Sequence, residues 1–121
     1  ALVASHAALA SLQKTELLAL DMQALEADFD IIINATASSL EGAAAPVPAS
    51  VLRPGSLAYD MMYGPAAQGF LDWAAQHGAQ PRDGLGMLVE QAAEAFLIWR
   101  GLRPPSAQVL AELRAAIAAG A

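Results

Sequence analysis

Cysteine is missing from the sequence altogether, which excludes disulfides and thiolate metal sites and fits a cytoplasmic setting. Lysine occurs once, at Lys14, beside five arginines, and the formal net charge is −6. A basic footprint for nucleic acid is therefore absent. No run of about 18 apolar residues occurs, because Gln, Glu or Gly interrupts each long candidate, so no membrane span is expected. The opening Ala1-Leu2-Val3-Ala4-Ser5-His6 has no basic leader before a long apolar core and does not read as a signal peptide. Nor is there a G-x-G-x-x-G turn, the element whose amides and helix N-terminus hold a dinucleotide pyrophosphate.

What is present is largely alanine and aliphatic. The hydrophobic fraction is 56%, inflated by alanine, which favours helix but adds little burial per residue. Its 121 residues suffice for one modest core. Leu2, Leu9 and Leu12 share a face and predict a helix over residues 1 to about 13. No capping residue precedes it, so a longer chain is expected upstream. Glu16-Leu17-Leu18-Ala19-Leu20 reads as a short strand, and Asp21 as the cap of a small helix to about Leu25. Phe29-Asp30-Ile31-Ile32-Ile33-Asn34 is the clearest strand, β-branched and apolar on both faces as a buried parallel strand must be. Ligands in open α/β sheets sit beyond the carboxyl ends of strands. The small polar run Asn34 to Ser39 is thus either a site wall or a plain polar cap.

Glu41 to Ser50 is an irregular Ala/Pro connection. Arg53-Pro54-Gly55-Ser56 predicts a type II turn leading into a second strand, Leu57 to Tyr63, ended by Gly64-Pro65. Phe70, Leu71, Ala74 and Ala75 give the next helix its buried face. It stops at His77-Gly78, where glycine suits the left-handed position and histidine complements the helix dipole. Gln80 to Asp83 reads as a third strand. Gly101 to Pro105 breaks the chain, and Ser106 caps a last helix with Leu110, Leu113 and Ile117 on one face. The strand and helix rhythm predicts a parallel α/β architecture.

The stretch around which the rest is organised is Asp83-Gly84-Leu85-Gly86-Met87-Leu88-Val89-Glu90-Gln91-Ala92-Ala93-Glu94-Ala95-Phe96. Two glycines at the start of a helix allow a sharp turn or a close backbone approach. Leu88, Ala92, Ala95, Phe96 and Trp99 fall on one packing stripe, with Met87, Gln91 and Glu94 on a neighbouring face. Spacing leaves two readings open: a core helix with Gln91 as a surface amide, or a ligand-facing turn with Gln91 one turn beyond Met87.

The wording of this stretch resembles the C-terminal signature of shikimate dehydrogenases. Asp30-Ile31-Ile32-Ile33-Asn34-Ala35-Thr36 and Tyr59-Asp60-Met61-Met62-Tyr63 resemble two further segments of that family, in its order and at about its spacing. The likeness covers nearly the whole chain but only the back half of such an enzyme. It implies an α/β fold: the second half of a doubly wound parallel, Rossmann-like sheet flanked by helices. Residues 1–84 would end the NADP-binding domain, and 85–121 would be C-terminal helices packing toward the substrate domain.

For the cofactor, the resemblance implies that Asn34 and Thr36 wall the pocket, that Met61 lies against NADP near the nicotinamide, and that Gly84 meets the nicotinamide amide. It makes Tyr63 and Gln91 hydrogen-bond partners of the substrate, shikimate or 3-dehydroshikimate, which suits a phenol and an amide that do not titrate near neutrality. From the residues alone, Met61 reads equally as core and Tyr63 as a strand-end tyrosine with a wet hydroxyl. No catalytic residue is expected here, because the family's catalytic Lys and Asp belong to the N-terminal substrate domain and Lys14 is in the wrong context. No metal is implied. The basic segment that reads the 2′-phosphate would lie upstream of Ala1, so NADP over NAD comes from the family alone.

Two departures stand out: Ala37, Ser38 and Ser39 replace the family's usual continuation after Thr36, and Gln68-Gly69 replaces the usual Thr-Pro before Phe70. The expected partner is the missing N-terminal part of the same enzyme. Without it the edge of the most hydrophobic strand would be exposed, and a chain of these residues alone would be poorly soluble, domain-swapped or altered in packing. The rival readings are a paralogue acting on quinate, in some cases with NAD, and a non-catalytic α/β ligand-binding module.

Overall fold

The computed structural model describes residue 6 and residues 14–38 and 45–120. Three strands, β1 (Phe29–Asn34), β2 (Leu52–Asp60) and β3 (Gln80–Arg82), form one open parallel sheet in the order β1-β2-β3. Helix α1 (Gln68–Gln76) joins β2 to β3, and α2 (Leu85–Arg100) and α3 (Ser106–Ala118) follow. The parallel α/β architecture is the expected one, and β1 occupies the residues expected of it.

The core lies on one face of the sheet. Along β2 the buried residues Ser56, Ala58 and Asp60 alternate with half-buried Leu57 and Tyr59, as the two-residue period of a strand requires. Ala58 packs with Phe70 and Ala74 of α1 and with Val51, Leu52 and Ala79. On the other face Ile31 and Ile33 are 58% and 61% exposed, opposite Leu57 and Tyr59 in register. β1 is apolar on both faces, and the described residues cover one of them.

Several expectations change. Glu16 to Leu20 forms no strand, and Leu17, Leu18 and Leu20 are exposed. A strand exists only where a neighbour takes its backbone hydrogen bonds, and the sheet order leaves β1 at an edge among the described residues. Asp21 does act as a cap, accepting the Gln23 amide at 2.9 Å, but of a 3-10 turn over Met22–Ala24. Pro54-Gly55 is not a turn ahead of the second strand. It is an irregularity inside β2, where the register jumps from Phe29↔Leu52 to Ile31↔Leu57.

β2 also ends at Asp60 and not at Tyr63. Ala75 of α1 is exposed, although Phe70 and Ala74 are buried and Gly78 takes the expected left-handed conformation at φ 78°. His77 bonds the Trp73 carbonyl through Nδ1 at 2.7 Å, at the carbonyl-rich end of α1. Ser106 is the first residue of α3 and caps nothing, since Pro105 precedes it without a side-chain bond. The buried stripe of α2 is Leu85, Val89 and Ala93, whereas Leu88 and Phe96 are partly exposed and Trp99 is 78% exposed. The helix expected over residues 1 to 13 lies outside the described residues apart from His6, as do Ser39 and residues 41–44 of the Ala/Pro connection.

Candidate functional site

Parallel strands bring their carboxyl ends to one edge. Asn34 and Asp60 are register partners at the ends of β1 and β2, and Arg82 ends β3 beside Tyr59. The loops leaving this edge carry most of the expected site. The Met61 amide donates to the Asn34 carbonyl at 3.1 Å, and the Gly84 amide donates to the Met62 carbonyl at 2.8 Å. Three loops are thereby laced together by their backbones.

Side chains finish the lacing. The Asn34 amide is 5% exposed and donates to Asp60 Oδ2 at 3.4 Å, while the Met62 amide donates to Asp60 Oδ1 at 2.9 Å. Asp60 is fully buried. Asn34 Oδ1 accepts both the Thr36 amide, at 3.1 Å, and the Thr36 hydroxyl, at 2.7 Å. Having given its only proton to Asn34, the Thr36 hydroxyl accepts from the Ser38 hydroxyl at 2.7 Å and from its amide at 3.3 Å. Asn34 is thus the polar hinge of the loop after β1.

Gly84 is glycine for a tertiary reason. Its φ is an unexceptional −82°, but a Cβ built there would stand 2.2 Å from the Met61 carbonyl oxygen and 2.6 Å from its carbon. No real Cβ tolerates such contacts, so only glycine lets the loops after β2 and β3 close on each other. The Gly84 amide is committed to Met62 and its carbonyl accepts the Leu88 amide at 3.0 Å, which leaves one lone pair of that carbonyl available.

Asn34, Met61 and Gly84 are brought together directly, with Thr36 hydrogen-bonded to Asn34. Met61 is 40% and Tyr63 42% exposed at this edge, not in the core. Tyr63 immediately precedes the 3-10 turn Gly64–Ala67. Gln91 is exposed and stands seven residues along from Gly84, roughly 10 Å along the helix axis and on the same side of it. Glu94, on the neighbouring side, pairs with Arg103 at 2.6 Å, and Glu90 with the same arginine at 2.9 Å.

Two residues without an expected role organise this edge. Asp60 was read inside the strand Leu57 to Tyr63 and in fact ends it. Asp83, one residue before Gly84, accepts a two-point fork from Arg114 of α3 at 3.0 and 2.7 Å. That guanidinium holds the Asp83 carboxyl below its ordinary range. A cavity of about 430 Å³ beside the fork is lined by Gly64, Pro65, Gln68, Leu71 and Leu85 among others, and by none of the six expected site residues. Among the described residues no cluster of His, Asp or Glu could hold a metal ion, and no helix is long and apolar enough to cross a membrane.

Residues 84–114 match the family model of the shikimate 5′-dehydrogenase C-terminal domain. Over all 121 residues the chain is 86% identical to the NADP(+) shikimate dehydrogenase of Acidovorax ebreus (strain TPSY). The chain is homologous to the C-terminal part of shikimate dehydrogenases. It spans 43% of the length of that Acidovorax relative.

Solved structures carry the same fold. The shikimate 5-dehydrogenase of Thermus thermophilus, crystallised with NADP(H) and shikimate, is 30% identical with a TM-score of 0.69, over 90% of this chain and 41% of that one. A ligand-free 5-ketofructose reductase of Gluconobacter sp. strain CHM43 is 34% identical with a TM-score of 0.70, over 92% of this chain and 43% of that one. The sheet belongs to the Rossmann-like class of these shikimate dehydrogenases.

Proposed function

We propose that this chain is the nicotinamide-side part of an NADP-dependent shikimate dehydrogenase, an enzyme that reversibly reduces 3-dehydroshikimate to shikimate. In this reading residues 1–84 end the cofactor-binding domain, and residues 85–121 are helices that pack toward a substrate domain supplied by the remaining part of the enzyme. The cytoplasm is its place of work. The observation that carries the reading is the laced carboxyl edge, where Gly84 lies on Met61, in a chain 86% identical throughout to an NADP(+) shikimate dehydrogenase.

The residues present fit a nicotinamide. Exposed Met61 offers an adaptable apolar wall. Beside it, the remaining lone pair of the Gly84 carbonyl can accept from a carboxamide N–H, whereas the Gly84 amide is already spent on Met62. Asn34 and Thr36 shape the adjoining wall, and Tyr63 and Gln91 orient the substrate's hydroxyls and carboxylate. Bound NADPH supplies the hydride to the carbonyl carbon. In this reading the proton for the forming alkoxide comes from the substrate domain, where the family's Lys and Asp lie, and not from these six residues.

Leu88, Val89, Phe96, Val109 and Leu113 line an apolar groove of about 400 Å³ between α2 and α3, a surface suited to the substrate domain. Likeness to the 5-ketofructose reductase favours a second reading, a different carbonyl substrate on the same shelf.

The test is a chimera in which this chain replaces the corresponding residues of the Acidovorax ebreus enzyme. Shikimate oxidation with NADP+ is the expected activity. Faster turnover of quinate with NAD+, or of 5-ketofructose, overturns the substrate assignment. A folded chimera that binds ligand without turnover favours a non-catalytic module.

A further inference from the structure

Arg114 is half exposed, yet it makes the fork to Asp83, whose side chain is only 13% exposed. The partners are 31 residues apart and join the last helix to the corner between β3 and α2. A guanidinium bound to a carboxylate at two points fixes orientation as well as distance. The rest of the seat of α3 is shallow, with Leu110 and Ile117 only half-buried. None of its residues is fully buried, and Leu110 stands opposite Gly86, where a Cβ would meet it in ordinary contact at 4.0 Å.

Asp83 transmits what Arg114 imposes. Its Oδ1 also accepts the Leu85 amide at 3.4 Å, so the carboxyl spans the residue whose backbone meets Met61. Gly84 lies too close to the Met61 carbonyl for any side chain to stand between them. Slack at Asp83 would let Gly84 draw back from Met61.

We propose that Arg114 is a positioning residue for hydride transfer: by forking Asp83 it holds Gly84 and the first turn of α2 against Met61, and so sets how the nicotinamide is presented to the substrate carbon. This rests on the reading that Gly84 and Met61 meet the nicotinamide. Arg114 itself touches neither cofactor nor substrate in this arrangement.

The experiment uses the chimera with its native Arg114 and the variants Arg114→Gln and Arg114→Lys. The readouts are kcat, KM for NADP+ and for shikimate, folded fraction, and the primary deuterium isotope effect on kcat with shikimate labelled at the carbon that surrenders hydride. Arg114→Gln is expected to lower kcat by about tenfold with both KM values within about twofold. Its isotope effect should rise because hydride transfer becomes limiting. Arg114→Lys, which keeps the charge but not the fork, should fall between the two.

A purely structural arginine predicts otherwise: kcat would fall in proportion to the folded fraction and the isotope effect would not move. That result, or an unchanged kcat, overturns the proposal. If Arg114→Gln does not fold, Arg114→Lys decides alone by the same isotope criterion. Failure of the underlying reading is separate, because the chimera bearing Arg114 would then turn over no shikimate with NADP+, and the proposal would fall with it.

Discussion

The carboxyl edge of the sheet and the α2–α3 hairpin that follows it are held by opposite means. At the edge, polar groups are buried and matched: Asn34, Asp60 and the Met61, Met62 and Gly84 backbones satisfy one another over 2.8 to 3.4 Å. In the hairpin, apolar groups are open: Ile98, Trp99 and Leu102 are 73%, 78% and 66% exposed, and the ion pairs lie on the surface. A buried polar lattice loses several kcal/mol when one member is removed, because its partners are stranded without water. An open apolar surface gains its energy only when something covers it. The carboxyl edge is therefore finished within the described residues, and the hairpin leaves an apolar surface open.

Gly84→Ala is the harshest way to break the first half of that contrast. Its Cβ would meet backbone, which cannot rotate aside as a side chain does, so the loops after β2 and β3 must part. A loss of about 3 kcal/mol is expected in urea denaturation of the chimera, with loss of NADP-dependent turnover. Asp60→Ala comes next. It removes the acceptor of the Met62 amide and of the Asn34 side-chain N–H, and about 2 kcal/mol should go. Equal, small effects at both positions would mean that the edge is no more tightly built than the hairpin.

What can be read from the sequence follows the same division. β1 is legible because a β-branched run admits one reading, whereas two glycines at a helix start allow either a sharp turn or a close approach and do not choose between them. The end of β2 is misplaced by pattern because apolarity continues through Met61 and Met62 while pairing stops at Asp60, whose side chain takes the next amide but one. The phase of α2 is misread since apolar residues occur on most of its faces. Period alone cannot then choose Leu85, Val89 and Ala93 over Leu88, Ala92 and Phe96. Nothing local links Asp83 to Arg114 across 31 residues. The reason Gly84 must be glycine is likewise a neighbour in space, Met61, and not its own φ.

Between the two regions stands the Asp83–Arg114 fork, and pH separates its contribution from the rest. Arg114 depresses the Asp83 pKa below the ordinary 3.8, chiefly by direct hydrogen bonding, so the pair stabilises the fold fully above that value. The stabilisation is lost as pH falls through the lowered folded pKa. Arg114→Gln should melt below the Arg114 protein at pH 7, by well under about 1 kcal/mol since the guanidinium is half in water. The gap should close as the pH is taken below 3.8. A gap independent of pH would assign the effect to lost packing of the arginine stem.

Arg103 supplies the smallest expected effect and the sharpest control. It bridges Glu90 and Glu94 of α2 at 2.9 and 2.6 Å from beyond the helix end, a geometry as short as that of Arg114. All three side chains, however, are about half exposed, and each carboxylate recovers water when the arginine leaves. Arg103→Ala should therefore leave the melting temperature and shikimate kinetics within experimental scatter. A loss at Arg103 comparable to that at Arg114 would show that short ion pairs on the hairpin matter wherever they sit, and would remove the reason for assigning Arg114 a place in the site.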